Sequence, residues 1–311
     1  MARNLVFCGT PQFAVPTLEK LVEAGFNLRL VLTQPDRPKG RGLGLGASPV
    51  KQTAERLGLP IFQPEKIKQN EELKEKLSEI APAAIVVVGY GRIIPKWMLE
   101  LPQYGNINLH ASLLPKYRGA APIQWAIANG ESVTGVTTMR IDEGLDTGDI
   151  LLQKDLGILD EDTAETLSPR LAAIGAELMI DTLHGLFEGT MSAVRQKDDE
   201  ATLAPILKKE DGRIDFGRSA RQIYNRLRGF QPWPGAFTIF RGKMLNVTAG
   251  RPSEERVPPA ELLVKDNRVL VGCGNSTGLE LLELQPEGKK RISARDFVHG
   301  YRLQVGERLG H

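Results

Sequence analysis

Apolar and polar positions follow two different rhythms along this 311-residue chain, and the rhythm changes about two thirds of the way along. In the first part, unbroken apolar runs alternate with segments whose apolar residues recur every three to four positions. Residues 4–10 (NLVFCGT) read as a buried strand ending in a Gly turn. The FAVPTLEKLVEAG that follows sets Leu18, Leu21 and Val22 on one helical face and stops at Gly25. Residues 28–34 read as a second strand, and SPVKQTAERLG as a helix capped by Ser48 with Pro49 at its first position. LPIFQP is a short strand, NEELKEKLSEIA a helix, and residues 83–90 a strongly buried strand. Continuous apolar strands separated by helices predict the α/β class, a mostly parallel sheet covered on both faces.

Residues 105–155 are less regular: a short strand GNINLHAS, a helix APIQWAIANG, and strands near 133–141 and 149–156. A long helix, TAETLSPRLAAIGAELMIDTLHGLFEG, follows, with Ser168-Pro169 inside it or kinking it. The polar residues 189–204 read as a linker. Beyond them come one helix (RSARQIYNRLRGF) and short alternating runs broken by Gly, Pro and Asn, the pattern of a small β-barrel. The expected organisation is therefore an α/β domain over 1–189, a linker over 190–205 and a barrel over 206–311.

A composition of 41% hydrophobic and 25% charged residues excludes a mainly disordered chain. Cys8 and Cys273 stand too far apart for a disulfide scaffold or a metal spacing, which fits a reducing compartment. No run approaches the roughly 20 apolar residues of a membrane span, and no leader-like segment opens the chain, so no membrane association and a cytoplasmic location are expected. The formal net charge of +2 hides an asymmetry, because residues 1–205 carry −5 and residues 206–311 carry +7. Such a basic third suits a polyanion-binding appendage and equally an ordinary solvated face.

The chain has no GxGxxG after its first strand, no GxxxxGK[ST] and no GxSxG. The Gly-rich stretch 35–48 reads instead as a long mobile loop carrying Arg37, Lys39 and Arg41. Candidate chemistry concentrates in residues 106–127. On a strand, Asn108 and His110 point to the same face, at the strand end where ligand sites of open α/β sheets lie. The acidic loop RIDEGLDTGDIL offers Asp142, Glu143, Asp146 and Asp149, one of which can pair with the imidazole. A His with a carboxylate partner suits general acid–base work, and a nearby amide suits an oxyanion. One His among irregularly spaced carboxylates points away from a metal site. Residue by residue this is an α/β enzyme with an Asn/His/Asp site, its substrate not legible.

NLHASLLPKYRGAAP together with DEGLDTGDIL resembles the folate-dependent formyltransferases, on the pattern N-x-H…S-L-L-P…R-G…D-x-G-x-D-x-G. The resemblance implies catalytic roles for Asn108, His110 and Asp146, with folate against the turn Ser112, Leu113, Leu114 and Pro115. It also implies a pterin pocket at Val88, Gly89, Tyr90 and Ile93, with Asp142 beside it. FCGTPQFAVPTLEKL, QPDRPKGRG, KKEDGRIDF and IYNRLRGFQPWPGAF are similar to the branch of that family that acts on tRNA. The likeness runs from Leu5 to about Arg302 and departs mainly at Phe216, where the family commonly has another aromatic residue. It implies a monomer with a Rossmann-like domain followed by an OB-type barrel. The implied donor is 10-formyltetrahydrofolate and the implied acceptor is the α-amino group of methionyl initiator tRNA, for translation initiation. It implies tRNA contacts from Arg41, Arg37 and Lys39 and, in the barrel, from Lys208, Lys209 and Lys243. Relatives that formylate amino sugars share much of the same pattern.

Overall fold

Each apolar run of the first part becomes a strand. The computed structural model describes residues 3–39, 44–266, 268–304 and 306–310. Its strands run in order β1 (Asn4–Gly9), β2 (Asn27–Leu32), β3 (Arg37–Lys39), β4 (Gly44–Gly46), β5 (Ile61–Phe62), β6 (Ala84–Val88), β7 (Asn106–His110), β8 (Val133–Arg140) and β9 (Ile150–Gly157). Between and after them lie helices α1 (Val15–Glu23), α2 (Pro49–Arg56), α3 (Glu71–Ile80), α4 (Lys96–Leu99), α5 (Pro122–Ala128) and α6 (Ala164–Glu188), the last with Pro169 inside it. Ser48 caps α2 as expected, its hydroxyl accepting from the Lys51 amide at 3.0 Å. The second part supplies α7 (Ala220–Gly229), β10 (Ala236–Phe240), β11 (Lys243–Ser253), β12 (Leu262–Lys265), β13 (Arg268–Cys273), β14 (Thr277–Pro286), β15 (Ile292–Ser293) and α8 (Ala294–Tyr301).

Among the described residues the large sheet has seven strands in the order β5-β2-β1-β6-β7-β8-β9. Pairing is parallel as far as β7 and antiparallel for β8 and β9. The chain leaves β1 toward β2 on one side and later returns to β6 on the other, so the order reverses beside β1, where open sheets form a crevice at their carboxyl ends. Residues of β1 and β6 are buried on both faces, the reason their sequences are continuous rather than alternating. Val6, Cys8, Ile85 and Val87 pack with Leu73, Leu77 and Met98. On the opposite face Gly175 of α6 lets Leu109 approach so closely that a Cβ there would lie 2.7 Å from it.

By its contacts the chain forms two units. The first comprises residues 1–119, 133–157 and 168–204; the second comprises 120–132, 158–167 and 205–311. The second unit therefore includes α5. Gly229 brings α7 against it so tightly that a Cβ would meet the Gln124 carbonyl oxygen at 2.6 Å. The Trp125 and Phe230 rings meet edge-on at 5.3 Å.

In the second unit the antiparallel sheet runs β10-β11-β14-β13-β12, with β15 paired to β14. The C-terminal tail bridges its open seam. The Gly310 amide donates to Ile239 of β10 at 2.7 Å, and the Leu309 amide to Ala260, beside β12, at 2.8 Å. The enclosed core includes Leu245, Val271, Leu281 and Phe297. Helix α8 goes beyond the single helix that the sequence reading expects here. Its signal is present as Ser293 three residues before Asp296, and the Ser293 hydroxyl accepts from the Asp296 amide at 3.1 Å. Both cysteines are free and buried. Burial pushes the Cys8 thiol well above its usual range and Cys273 up to about 12, so neither supplies a thiolate. No helix among the described residues is long and apolar enough to cross a membrane.

The antiparallel sheet holds a buried carboxylate. Glu280 is 5% exposed, and its Oε2 accepts from Arg251 Nε and from Arg268 Nη2, both at 2.9 Å. Burial alone would raise this carboxyl; Arg268 and Arg251 outweigh it and hold Glu280 below the usual carboxylate range. A depressed carboxyl contributes stability at neutral pH that is lost as pH falls through its folded value. Glu280→Gln should therefore lower stability by about 2 kcal/mol near neutrality. In thermal melts across pH, the gap from wild type should close as pH drops below the usual carboxylate range.

Candidate active site

Strand β7 alternates its side chains, so Asn106, Asn108 and His110 share one face. Asn106 is structural: its Nδ2 donates to the Met98 carbonyl of α4 at 2.9 Å. Asn108 is half-buried and its side chain makes no hydrogen bond among the described residues, which leaves an amide free for a ligand. His110 ends the strand and is 6% exposed. Its Nε2 lies 2.9 Å from the Tyr117 carbonyl oxygen. A carbonyl only accepts, so Nε2 carries the proton and, in the neutral ring, Nδ1 is the bare nitrogen. Nδ1 faces Asp146 Oδ2 at 3.6 Å, too long for a direct hydrogen bond. The pair is close enough to share a proton through a small shift or one bridging group.

Two sharp loops make this encounter. After β7, Ser112 donates to the Lys116 carbonyl at 2.6 Å. Thr137 Oγ1 of β8 accepts from the Leu114 amide at 3.1 Å and donates to the Ser112 carbonyl at 2.6 Å. Gln153 of β9 donates to the Leu114 carbonyl at 2.9 Å. The turn is thus bolted to the neighbouring strands. Tyr117 then adopts φ 63°, a strained value for a bulky residue, and aims its carbonyl at His110. After β8, Asp142 organises the acidic loop, its Oδ1 accepting from the Gly144 amide at 3.0 Å and from Thr147 Oγ1 at 2.7 Å. Asp146 sits at φ 54°, and its Oδ2 accepts from the Gly119 amide at 2.8 Å.

The fold brings together Asn108, His110, Asp146 and the turn Ser112–Pro115 at one sheet edge. Ser112 and Leu114 are buried and hold the turn, whereas Leu113 and Pro115 are half-buried. At the end of β6, Val88 and Tyr90 are buried and Gly89 is exposed at φ 55°. The Tyr90 hydroxyl has no hydrogen-bond partner among the described residues, and burial raises its pKa beyond the usual phenol range. Ile93, by contrast, is 91% exposed, an unusual position for a large apolar side chain. Asp142 is exposed, its carboxylate committed to its own loop.

The basic candidates fall elsewhere. Arg37 is exposed, 3.9 Å from Glu65. Lys39 is described only as the backbone end of β3, and Arg41 lies outside the described residues. Lys208, Lys209 and Lys243, in the second unit, are exposed and form no ion pair among the described residues.

Sequence reasoning missed the contribution of residues 194–204. The stretch expected to be a linker packs into the first unit. The Ile150 and Val194 backbones pair in both directions at 2.8 Å, the Tyr117 amide donates to Thr202 Oγ1 at 2.9 Å, and the Ala204 amide donates to the Arg118 carbonyl at 2.7 Å. A polar run without periodicity carries no signal for such packing, because its hydrogen bonds go to loops far away in sequence.

A formyl transferase family model matches residues 2–183, and a formyl transferase C-terminal domain model matches residues 206–302. The methionyl-tRNA formyltransferase of Koribacter versatilis is 64% identical over 306 residues, 98% of both chains. That of Acidobacterium capsulatum is 61% identical over 311 residues, 99% of both chains. Among solved structures, an N-formyltransferase from Helicobacter canadensis in complex with folinic acid and dTDP-3-aminofucose is similar at TM-score 0.67. Its identity is 18%, with 92% of this chain and 100% of that one covered, a likeness of fold alone.

The loop geometry predicts a graded response to added methyl groups. A Cβ at Gly148 would lie 1.8 Å from the Arg140 carbonyl oxygen, and one at Gly119 would lie 2.6 Å from that of Ala204, whereas one at Gly157 meets nothing within 4 Å. Gly148→Ala and Gly119→Ala should each destabilise by roughly 1–3 kcal/mol, with Gly157→Ala within about 0.5 kcal/mol of wild type. Urea unfolding of the three variants checks the order.

Proposed function

We propose that this chain, which belongs to the formyl transferase family and within it to the methionyl-tRNA formyltransferases, transfers a formyl group from 10-formyltetrahydrofolate to the α-amino group of methionyl initiator tRNA. The observation that carries the chemistry is the convergence of the free Asn108 amide with His110 and Asp146, 3.6 Å from each other, at the carboxyl edge of the sheet. In this reading the neutral amine attacks the formyl carbon, and negative charge develops on the formyl oxygen. The Asn108 amide donates to that oxygen, an effect worth roughly 3–4 kcal/mol in preorganised sites. The attacking nitrogen must lose a proton and the departing N10 must gain one. His110 Nδ1, with Asp146 beside it and Tyr117 fixing Nε2, relays that proton, so no net proton is taken from solvent.

The donor fits the same edge. Its ring system would lie against Gly89, Ile93 and the turn from Ser112 to Pro115. The exposed Ile93 would gain apolar cover from an aromatic ligand. Val88, Tyr90, Ser112 and Leu114 would act as the buried backing that shapes the pocket, and Asp142 as the loop's organiser. Residues 1–189 would form the catalytic domain, 190–205 the connection and 206–311 the tRNA-binding domain. The +7 charge of the last segment supports that assignment, because phosphate contacts dominate nucleic-acid affinity. Lys208, Lys209 and Lys243 of the second unit, and Arg37, Lys39 and Arg41 of the Gly-rich stretch, would make such contacts. We further propose that the protein acts as a cytoplasmic monomer.

Incubation with 10-formyltetrahydrofolate and either methionyl initiator tRNA or a nucleotide-linked amino sugar should give formylated methionine and no formylated sugar. The reverse outcome sinks the tRNA reading. His110→Ala should lower kcat at least 10²-fold, and Asn108→Ala comparably, with tRNA affinity within about twofold of wild type. Replacing Lys208, Lys209 and Lys243 together by Ala should weaken tRNA binding and flatten its salt dependence while leaving the affinity for folate unchanged.

A further inference from the structure

Asp146 is held at two points, and only one of them is its carboxylate. Its carbonyl, and that of Gly148, accept from the same side-chain amide, Gln196 Nε2, at 2.8 and 2.7 Å. Gln196 is 6% exposed and stands in the segment that the sequence reads as a linker. Its Oε1 accepts from Arg118 Nε at 3.0 Å, and Arg118, 7% exposed, reaches Asp198 with Nη2 at 2.9 Å. The orientation of this amide is forced by chemistry. A guanidinium only donates and a carbonyl only accepts, so the amide oxygen must face Arg118 and the NH2 must face the two carbonyls. The next residue after Arg118 is Gly119, whose amide donates to the Asp146 carboxylate. A single dipeptide thus grips Asp146 at both ends, the carboxylate directly and the carbonyl through Gln196.

We infer that Gln196 is a positioning residue for Asp146, kept in orientation by Arg118, and that it sets how well Asp146 can assist His110. The inference rests on the proposed role of Asp146. Asp146 occupies φ 54° in a loop with glycines on both sides, a conformation that a non-Gly residue holds only when its surroundings over-determine it. Without the two donations from Gln196, nothing else bonds these two carbonyls among the described residues, and the carboxylate is left to the Gly119 amide alone. A displacement of about 1 Å at such a pair is enough to lower turnover 10²-fold.

The test uses the full-length protein. Gln196→Met keeps the volume and removes the donors. Its kcat should fall 10- to 100-fold, with KM for 10-formyltetrahydrofolate and for methionyl initiator tRNA within about twofold of wild type. In the Asp146→Asn background the same change should lower kcat by less than twofold, since the residue it positions is already disabled. Additive losses, or an unchanged kcat in the single variant, overturn the inference. A second measurement needs no turnover. The Gly119 amide hydrogen should exchange at least tenfold faster in Gln196→Met, and an unchanged rate overturns the inference. Should Gln196→Met unfold, Arg118→Lys replaces it in both measurements. Lys cannot reproduce the fork that orients the amide, so a three- to tenfold lower kcat and faster Gly119 exchange are expected. If wild-type protein transfers no formyl group, the functional proposal fails, and the exchange measurement still decides the positioning claim.

Discussion

The hydrogen bond from the Gly119 amide to Asp146 Oδ2, at 2.8 Å, ties together two loops that leave adjacent strands in different directions. Strand β7 delivers His110, and the loop after β8 delivers Asp146. Nothing in either strand obliges a carboxylate and an imidazole to meet. The meeting depends on a backbone N–H that points at the carboxylate, and therefore on a residue at φ +123° with the Ala204 carbonyl packed against it. Glycine satisfies both conditions, for a side chain would be strained by the dihedral and would collide with the carbonyl.

Much of the surrounding structure serves to keep that geometry. Thr137 and Gln153 belong to the antiparallel extension of the sheet, yet their side chains reach the turn after β7 and satisfy its backbone. The two antiparallel strands thereby do more than lengthen the sheet. They place polar side chains beside a loop whose own sequence is too short and too apolar to hold itself. Buried polar groups of this kind stabilise one conformation over others, because leaving any of them unpaired costs about 1–3 kcal/mol. The network around Gln196 follows the same logic with a charge in it. Arg118 is almost fully buried, and its guanidinium is balanced by an amide oxygen and a carboxylate.

The second unit shows a different economy. Its sheet leaves β10 and β12 unpaired with each other, and the tail residues Glu307, Leu309 and Gly310 supply backbone partners there. That protects two strand edges that would otherwise invite pairing with another chain. The buried carboxylate of its sheet, Glu280, lies opposite Arg251 in the strand pairing and takes a second arginine from the strand on its other side. The excess of exposed cations elsewhere on this unit needs no such balancing, since solvated lysines are stable without partners.

Much was legible in the one-dimensional chain. The α/β class followed from continuous apolar runs, since a parallel strand buried on both faces cannot alternate. The cap at Ser48 and the strand carrying Asn108 and His110 are local statements, decided within a few residues by hydrogen bonding and side-chain alternation. The Asn, His and Asp were likewise recognisable by their motif. Tertiary structure alone decided how they are held. That Tyr117 would fix the histidine's tautomer, that Gly119 would bind the carboxylate, and that Gln196 would leave an apparent linker to clasp the acidic loop are pairings across 7, 27 and about 50 residues. The same holds for α5 lying with the later part of the chain, which depends on a close approach at Gly229. Hydrophobic patterning reports which face of an element is buried, but not which distant backbone group a polar side chain will satisfy. That choice is made only when the loops are brought to the same sheet edge.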